Sequence, residues 1–152
     1  MQPRIPYTRI APEATRALAG VDAYVRASGL EKPLLELVRL RASQINGCAY
    51  CIDMHTKDAR AAGETEQRLY GLNAWRETPY YSDRERAALE WTEAITLIAE
   101  SHVPDPLYDA VKSHFSEKEL VDLTWAVVAI NAWNRAAISF RAVPGAYKSP
   151  SR

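Results

Sequence analysis

The chain is short of several things that would each point to a class of function. Its 152 residues include only two cysteines, Cys48 and Cys51, three residues apart. That is too few for a disulfide-stapled scaffold, and CxxC spacing reads instead as redox or metal chemistry. Nineteen basic residues balance nineteen acidic ones, so the formal net charge is zero. No basic run or alternation of basic and aromatic residues is present, so neither nucleic acid nor an acidic membrane surface is an expected partner. Met1 to Ile10 has no apolar signal core, which argues against secretion and for the cytoplasm. The most apolar run, Val121 to Trp133, is broken by Asp122, Thr124 and Asn131 and is too short to span a bilayer. No segment sustains strand alternation between turn signals. Low-complexity tracts, short-period repeats and composition breaks are also missing, so residues 1–152 read as one domain.

Helical punctuation fills the chain instead. Residues Met1 to Ala11 carry Pro3 and Pro6 and are expected to run extended. Pro12 suits a first helical position, and Gly29 ends that helix. A second helix starts at Pro33 and spaces Leu34, Leu37, Val38, Arg41 and Ile45 along one side, up to Asn46-Gly47. The cysteine helix spans about 48–62, with Gly63 as its stop. Another short helix carries Leu69, Leu72 and Trp75. Ser82-x-x-Glu85 and Ser116-x-x-Glu119 are capping boxes, each opening a helix. Between them Pro104 and Pro106 start a short one. The helix after Ser116 runs to about Phe140 and is apolar almost all round in its middle, which implies burial on several sides or in a subunit interface. A loose tail is expected from about residue 146. The fold class is all-α, a compact bundle of six to eight helices.

Chemistry concentrates between Gln44 and His55. Cys48, Cys51 and His55 are spaced three and four residues apart, which puts them on one helix face. The start of a helix favours a thiolate, through its unpaired N–H groups and its dipole. An imidazole one turn beyond Cys51 is placed to take a thiol proton. Zinc is the competing reading, with Cys48, Cys51 and His55 as ligands and Glu36 as a fourth. Structural zinc sites, however, usually draw on two separated ligand pairs. Taken alone, Glu36 is most simply a surface carboxylate paired with Lys32 or Arg39. His102 and His114 lie near loops and are given no chemistry. Asn131, Asn134 and Arg135 need partners if buried, and are expected to cap a neighbouring helix or join subunits.

A glutamate on one helix, followed by Asn-Gly-Cys-x-x-Cys-x-x-x-His opening the next, resembles the carboxymuconolactone decarboxylase superfamily. It is most similar to the alkylhydroperoxidase AhpD-like core. The matching residues are Glu36, Cys48, Cys51 and His55, within a motif region of about 34–72. The resemblance makes Glu36 a site residue. If the chain folds back at Asn46-Gly47, Glu36 and His55 come level on adjacent helices. It implies a trimer or hexamer. It also implies reduction by an external dithiol, thioredoxin-like or lipoyl-bearing. In one respect the sequence departs from the peroxidase pattern: Tyr50 stands where a histidine precedes the second cysteine. A phenol titrating near 10 is a poor proton acceptor at neutral pH.

The expected function is a thiol-dependent peroxidase or disulfide reductase acting on alkyl hydroperoxides in antioxidant defence, with no cofactor and no metal. Cys51 is the expected peroxide-reactive thiol because His55 is its neighbour, with Cys48 resolving. The dipole and a greater exposure of the first cysteine would argue for Cys48 in exchange with the reductant. Two alternatives remain. One is a lyase on a small lactone acid, which needs Arg39, Arg41 and Arg135 to converge on carboxylates. The other is a redox-sensing module without turnover.

Overall fold

The computed structural model describes residues 2–149, and among these there is no strand. The α-helices are α1 (Tyr7–Ile10), α2 (Pro12–Ala27), α3 (Lys32–Asn46), α4 (Ala49–Ala61), α5 (Glu66–Gly71), α6 (Asp83–Thr96), α7 (Ile98–Ser101), α8 (Asp105–Lys112) and α9 (Glu117–Phe140). Two of them, α1 and α7, are single turns of four residues. The bundle of longer helices is the one the capping and proline signals announce.

Everything is built around α3, which lies against α4, α6 and α9. Its leucines explain why. Leu34, Leu35 and Val38 turn to one side, into a core shared with Val25, Trp91, Val111, Leu123 and Val127. Leu37 and Leu40 turn to the other, against Ala59, Leu69, Leu72, Trp75 and Leu89. Each buried leucine contributes roughly 1.5–3 kcal/mol of transfer free energy, so α3 is fixed from two sides at once. Both capping boxes form: Ser82 with Glu85 opens α6, and Ser116 with Glu119 opens α9.

Several segments differ from the sequence reading, each for a local reason. Residues 7–10 are helical rather than extended, closed by Pro6 and Tyr7 carbonyls. The short helix after Thr65 tightens at Leu72 into a 3-10 helix, Leu72–Glu77. The helix carrying Ile95 and Ile98 breaks at Leu97 (φ −101, ψ 38), splitting α6 from α7. Residues 145 and 147 are not loose: they are hydrogen-bonded to Asp53, Lys57 and Asp58 of α4. The rest of the expected tail, from residue 150, lies outside the described residues. Among the described residues, no helix is long and apolar enough to cross a membrane.

Candidate active site

Gly47 makes the site possible. It ends α3 in the left-handed region (φ 68, ψ 30), where its N–H bonds to the Gln44 carbonyl. The Cys48 N–H returns to the Ser43 carbonyl at 3.0 Å. This closes the helix and turns the chain within two residues. Buried amides hold the turn from behind. Asn46 Nδ2 donates to the side-chain oxygens of both Asn131 and Asn134, at 2.9 Å each. Asn134, wholly buried, donates to Ser43 Oγ, and Asn131 to Thr96 Oγ1. Arg135 closes the group on the Asn131 backbone and side-chain oxygens. These residues therefore join α9 to the end of α3 within one chain. The sequence signal for them was three polar side chains in an apolar helix.

Cys48 sits one position outside the expected first turn. It is the N-cap of α4, and its sulfur accepts a hydrogen bond from the Cys51 N–H at 3.3 Å. The two cysteines are joined as a disulfide. Both are buried, 1% exposed for Cys48 and 2% for Cys51, so the first cysteine is not the more exposed one. They pack with Ala42, Ile130 and Ala137, and half-buried Tyr50 and Trp133 wall the cluster.

One turn beyond Cys51, His55 is 5% exposed. Its Nδ1 lies 2.8 Å from Glu36 Oε2, a direct contact across the α3–α4 turn. The other Glu36 oxygen accepts from Arg39 Nη1 at 2.8 Å, and Arg39 Nη2 reaches Asp22 at 3.1 Å. Burial pushes the Glu36 carboxyl up, but its hydrogen bond to His55 and the charges of His55 and Arg39 outweigh this and hold it below its ordinary value. An ionised Glu36 accepts the Nδ1 proton, which fixes the ring and leaves Nε2 as its proton acceptor. That Nε2 is buried and has no hydrogen-bond partner among the described residues.

The zinc reading changes its ligands. With the two sulfurs bonded to each other, the converging ligand-type groups are Glu36, His55 and Asp58, whose donor atoms lie within 4.8 Å of one another. Asp58 did not stand out in the sequence. A cleft of about 730 Å³ opens beside it, lined by Arg26, Lys32, Glu36, Arg39, Asp58 and Tyr147. The three arginines invoked for a lyase do not converge. Arg39 is held by Glu36 and Asp22, Arg41 by Glu93 and Asn73, and Arg135 by Asn131.

Residues 12–94 match the Carboxymuconolactone decarboxylase family, a span that contains Glu36, Cys48, Cys51 and His55. The chain belongs to that family. It is also 48% identical over 139 residues to the uncharacterised Bacillus subtilis protein YdfG, covering 91% of this chain and 95% of that one. Among solved structures, it superposes with a TM-score of 0.92 on an Agrobacterium tumefaciens protein of unknown function, provisionally named an antioxidant defence protein AhpD. The identity there is 44%, covering 96% of this chain and all of the other. The debrominase Bmp8 shares the fold at a TM-score of 0.81 and 18% identity, over 91% of this chain and 75% of that one. This chain is thus an AhpD-like member of a family named for a decarboxylase.

Proposed function

We propose that this protein is a thiol-dependent peroxidase of antioxidant defence, working in the cytoplasm on organic hydroperoxides. The observation that carries the reading is the His55–Glu36 contact one helical turn from a redox-bonded cysteine pair. In the reduced protein, His55 takes the Cys51 proton through Nε2, and Glu36 stabilises the charged ring. The Cys51 thiolate attacks the distal peroxide oxygen as the O–O bond breaks. The sulfur becomes a sulfenic acid, and the alcohol leaves with the proton returned by His55. Cys48, at the N-terminus of α4, then attacks the Cys51 sulfur, forming the disulfide and releasing water. An external dithiol, thioredoxin-like or lipoyl-bearing, supplies the two electrons that restore both thiols. Burial of both sulfurs requires local opening around Tyr50 and Trp133 for that exchange.

The test is sulfenic-acid trapping with dimedone after one equivalent of hydroperoxide. Cys48→Ser carries the adduct at Cys51. If only Cys51→Ser traps it, at Cys48, the two roles are reversed. If neither variant traps it and no peroxide is lost, the peroxidase reading fails. Debromination, the activity that the name of Bmp8 gives to that protein, is then the next chemistry to assay.

A further inference from the structure

Past Gly145 the chain turns back onto α4 and is tied there. Lys57 Nζ donates to the carbonyls of Tyr147 at 3.0 Å and Gly145 at 3.4 Å. The Gly145 N–H donates to Asp53 at 3.0 Å. This strap delivers the Tyr147 hydroxyl to Asp58, 2.9 Å from one carboxylate oxygen and 3.0 Å from the other. Asp58 lies three residues after His55, and its carboxylate is within 4.8 Å of the Glu36 carboxylate and a His55 ring nitrogen.

The buried His55–Glu36 pair is the proposed holder of the Cys51 proton, so the charges around it bear on how readily the thiol gives that proton up. The cysteines do not line the neighbouring cleft, but Glu36, Asp58 and Tyr147 do. The cleft is therefore the wet side of the pair. Arg39 already engages Glu36, and Tyr147 engages Asp58. That satisfied arrangement suits proton transfer better than a metal ion. Burial, and then the hydrogen bond to Asp58, push the Tyr147 phenol up to about 12, so it remains a donor at every working pH.

We propose that Asp58 is the outer carboxylate of the thiol site, and that Tyr147, carried on the strap, is the positioning residue that holds it over Glu36 and His55. This rests on the proton-handling role given above to that pair. The charged and titratable neighbours are Asp22 and Arg26 from α2, Lys32, Glu36 and Arg39 from α3, and His55 and Asp58 from α4. Among them Asp58 adds a second negative charge beside the ring proposed to take the Cys51 proton, and so favours transfer of that proton from the thiol. Neutralising Asp58 makes the thiol reactive only at higher pH.

The experiment uses the reduced, full-length protein and no peroxide. The rate of Cys51 alkylation by iodoacetamide is followed by peptide mass spectrometry, across a pH range bracketing the ordinary thiol value of about 8.5. Asp58→Asn is expected to slow alkylation at neutral pH roughly three- to tenfold, a shift of up to about one unit. Tyr147→Phe moves the profile the same way by less. The double variant goes no further than Asp58→Asn alone, because the phenol acts through that carboxylate. Profiles that superimpose on the unsubstituted protein overturn the proposal, even if melting temperatures fall. So do additive shifts in the double variant. A wild-type protein that consumes no peroxide would defeat the peroxidase reading yet leave this alkylation readout intact.

Discussion

Glu36 is the side chain at which stability and the proposed chemistry meet. It is ionised because it contacts His55 and Arg39 at once, and losing it would leave the buried Arg39 with Asp22 alone. Its folded-state value is lowered from the ordinary 4.5, so its contribution to stability is complete above that value and disappears as pH falls through the folded one. Glu36→Gln is therefore expected to flatten the loss of stability on acidification below about pH 4.5. Urea denaturation at stepped acidic pH measures this. An unchanged slope would mean that other carboxylates dominate. His55→Ala is expected to cut peroxide turnover by roughly 10²- to 10⁴-fold if its ring moves the thiol proton. Steady-state peroxide consumption with a supplied dithiol checks it, and a loss of less than about tenfold would be too small for general acid–base help.

At the scale of elements, the α3–α4 turn is the unit that matters. Asn134 is buried with no exposure and bonds both Asn46 and Ser43. Asn134→Ala leaves those partners short of bonds and opens a cavity, at a cost of about 2–3 kcal/mol. Thermal unfolding is expected to move down by roughly 5 to 10 °C. A shift within error would show that the amides rearrange freely. The same turn shows what can be read in advance. Gly47 after an amphipathic run, and two serine–glutamate capping boxes, encode helix ends locally, so those boundaries were legible. Spacing along one helix placed Cys48, Cys51 and His55 on a shared face. The pairing of Glu36 with Arg39 was legible from their spacing, but its place beside His55 only through the family pattern, since that histidine lies 19 residues on and across a turn. The meeting of Asp58 with Tyr147 was not legible. Their contact spans 89 residues, and an aspartate three residues after a histidine on a polar helix carries no local signal. The break at Leu97 was also hidden, because Ile95 and Ile98 continue the helical spacing through it.

At the scale of the whole molecule, α9 leaves a face unaccounted for. Val121, Trp125 and Val128 are 53%, 47% and 41% exposed, at one helical spacing, although the opposite side of α9 is core. Contiguous exposed apolar side chains of this size mark association surfaces. The trimer or hexamer that the sequence resemblance implies is expected to bury this stripe. Trp125→Glu is expected to lower the mass seen by light scattering at micromolar protein while leaving helical circular dichroism unchanged. A wild-type protein already monomeric there would remove the oligomer. Assembly, however, is secondary to the thiol chemistry. The measurement that bears most directly on it is intact-mass analysis of the reduced wild-type protein after one equivalent of an organic hydroperoxide. The account predicts loss of two hydrogens as Cys48 and Cys51 rejoin, one alcohol formed per disulfide, and repeated turnover once a dithiol is supplied. Two intact thiols beside unconsumed peroxide would contradict it.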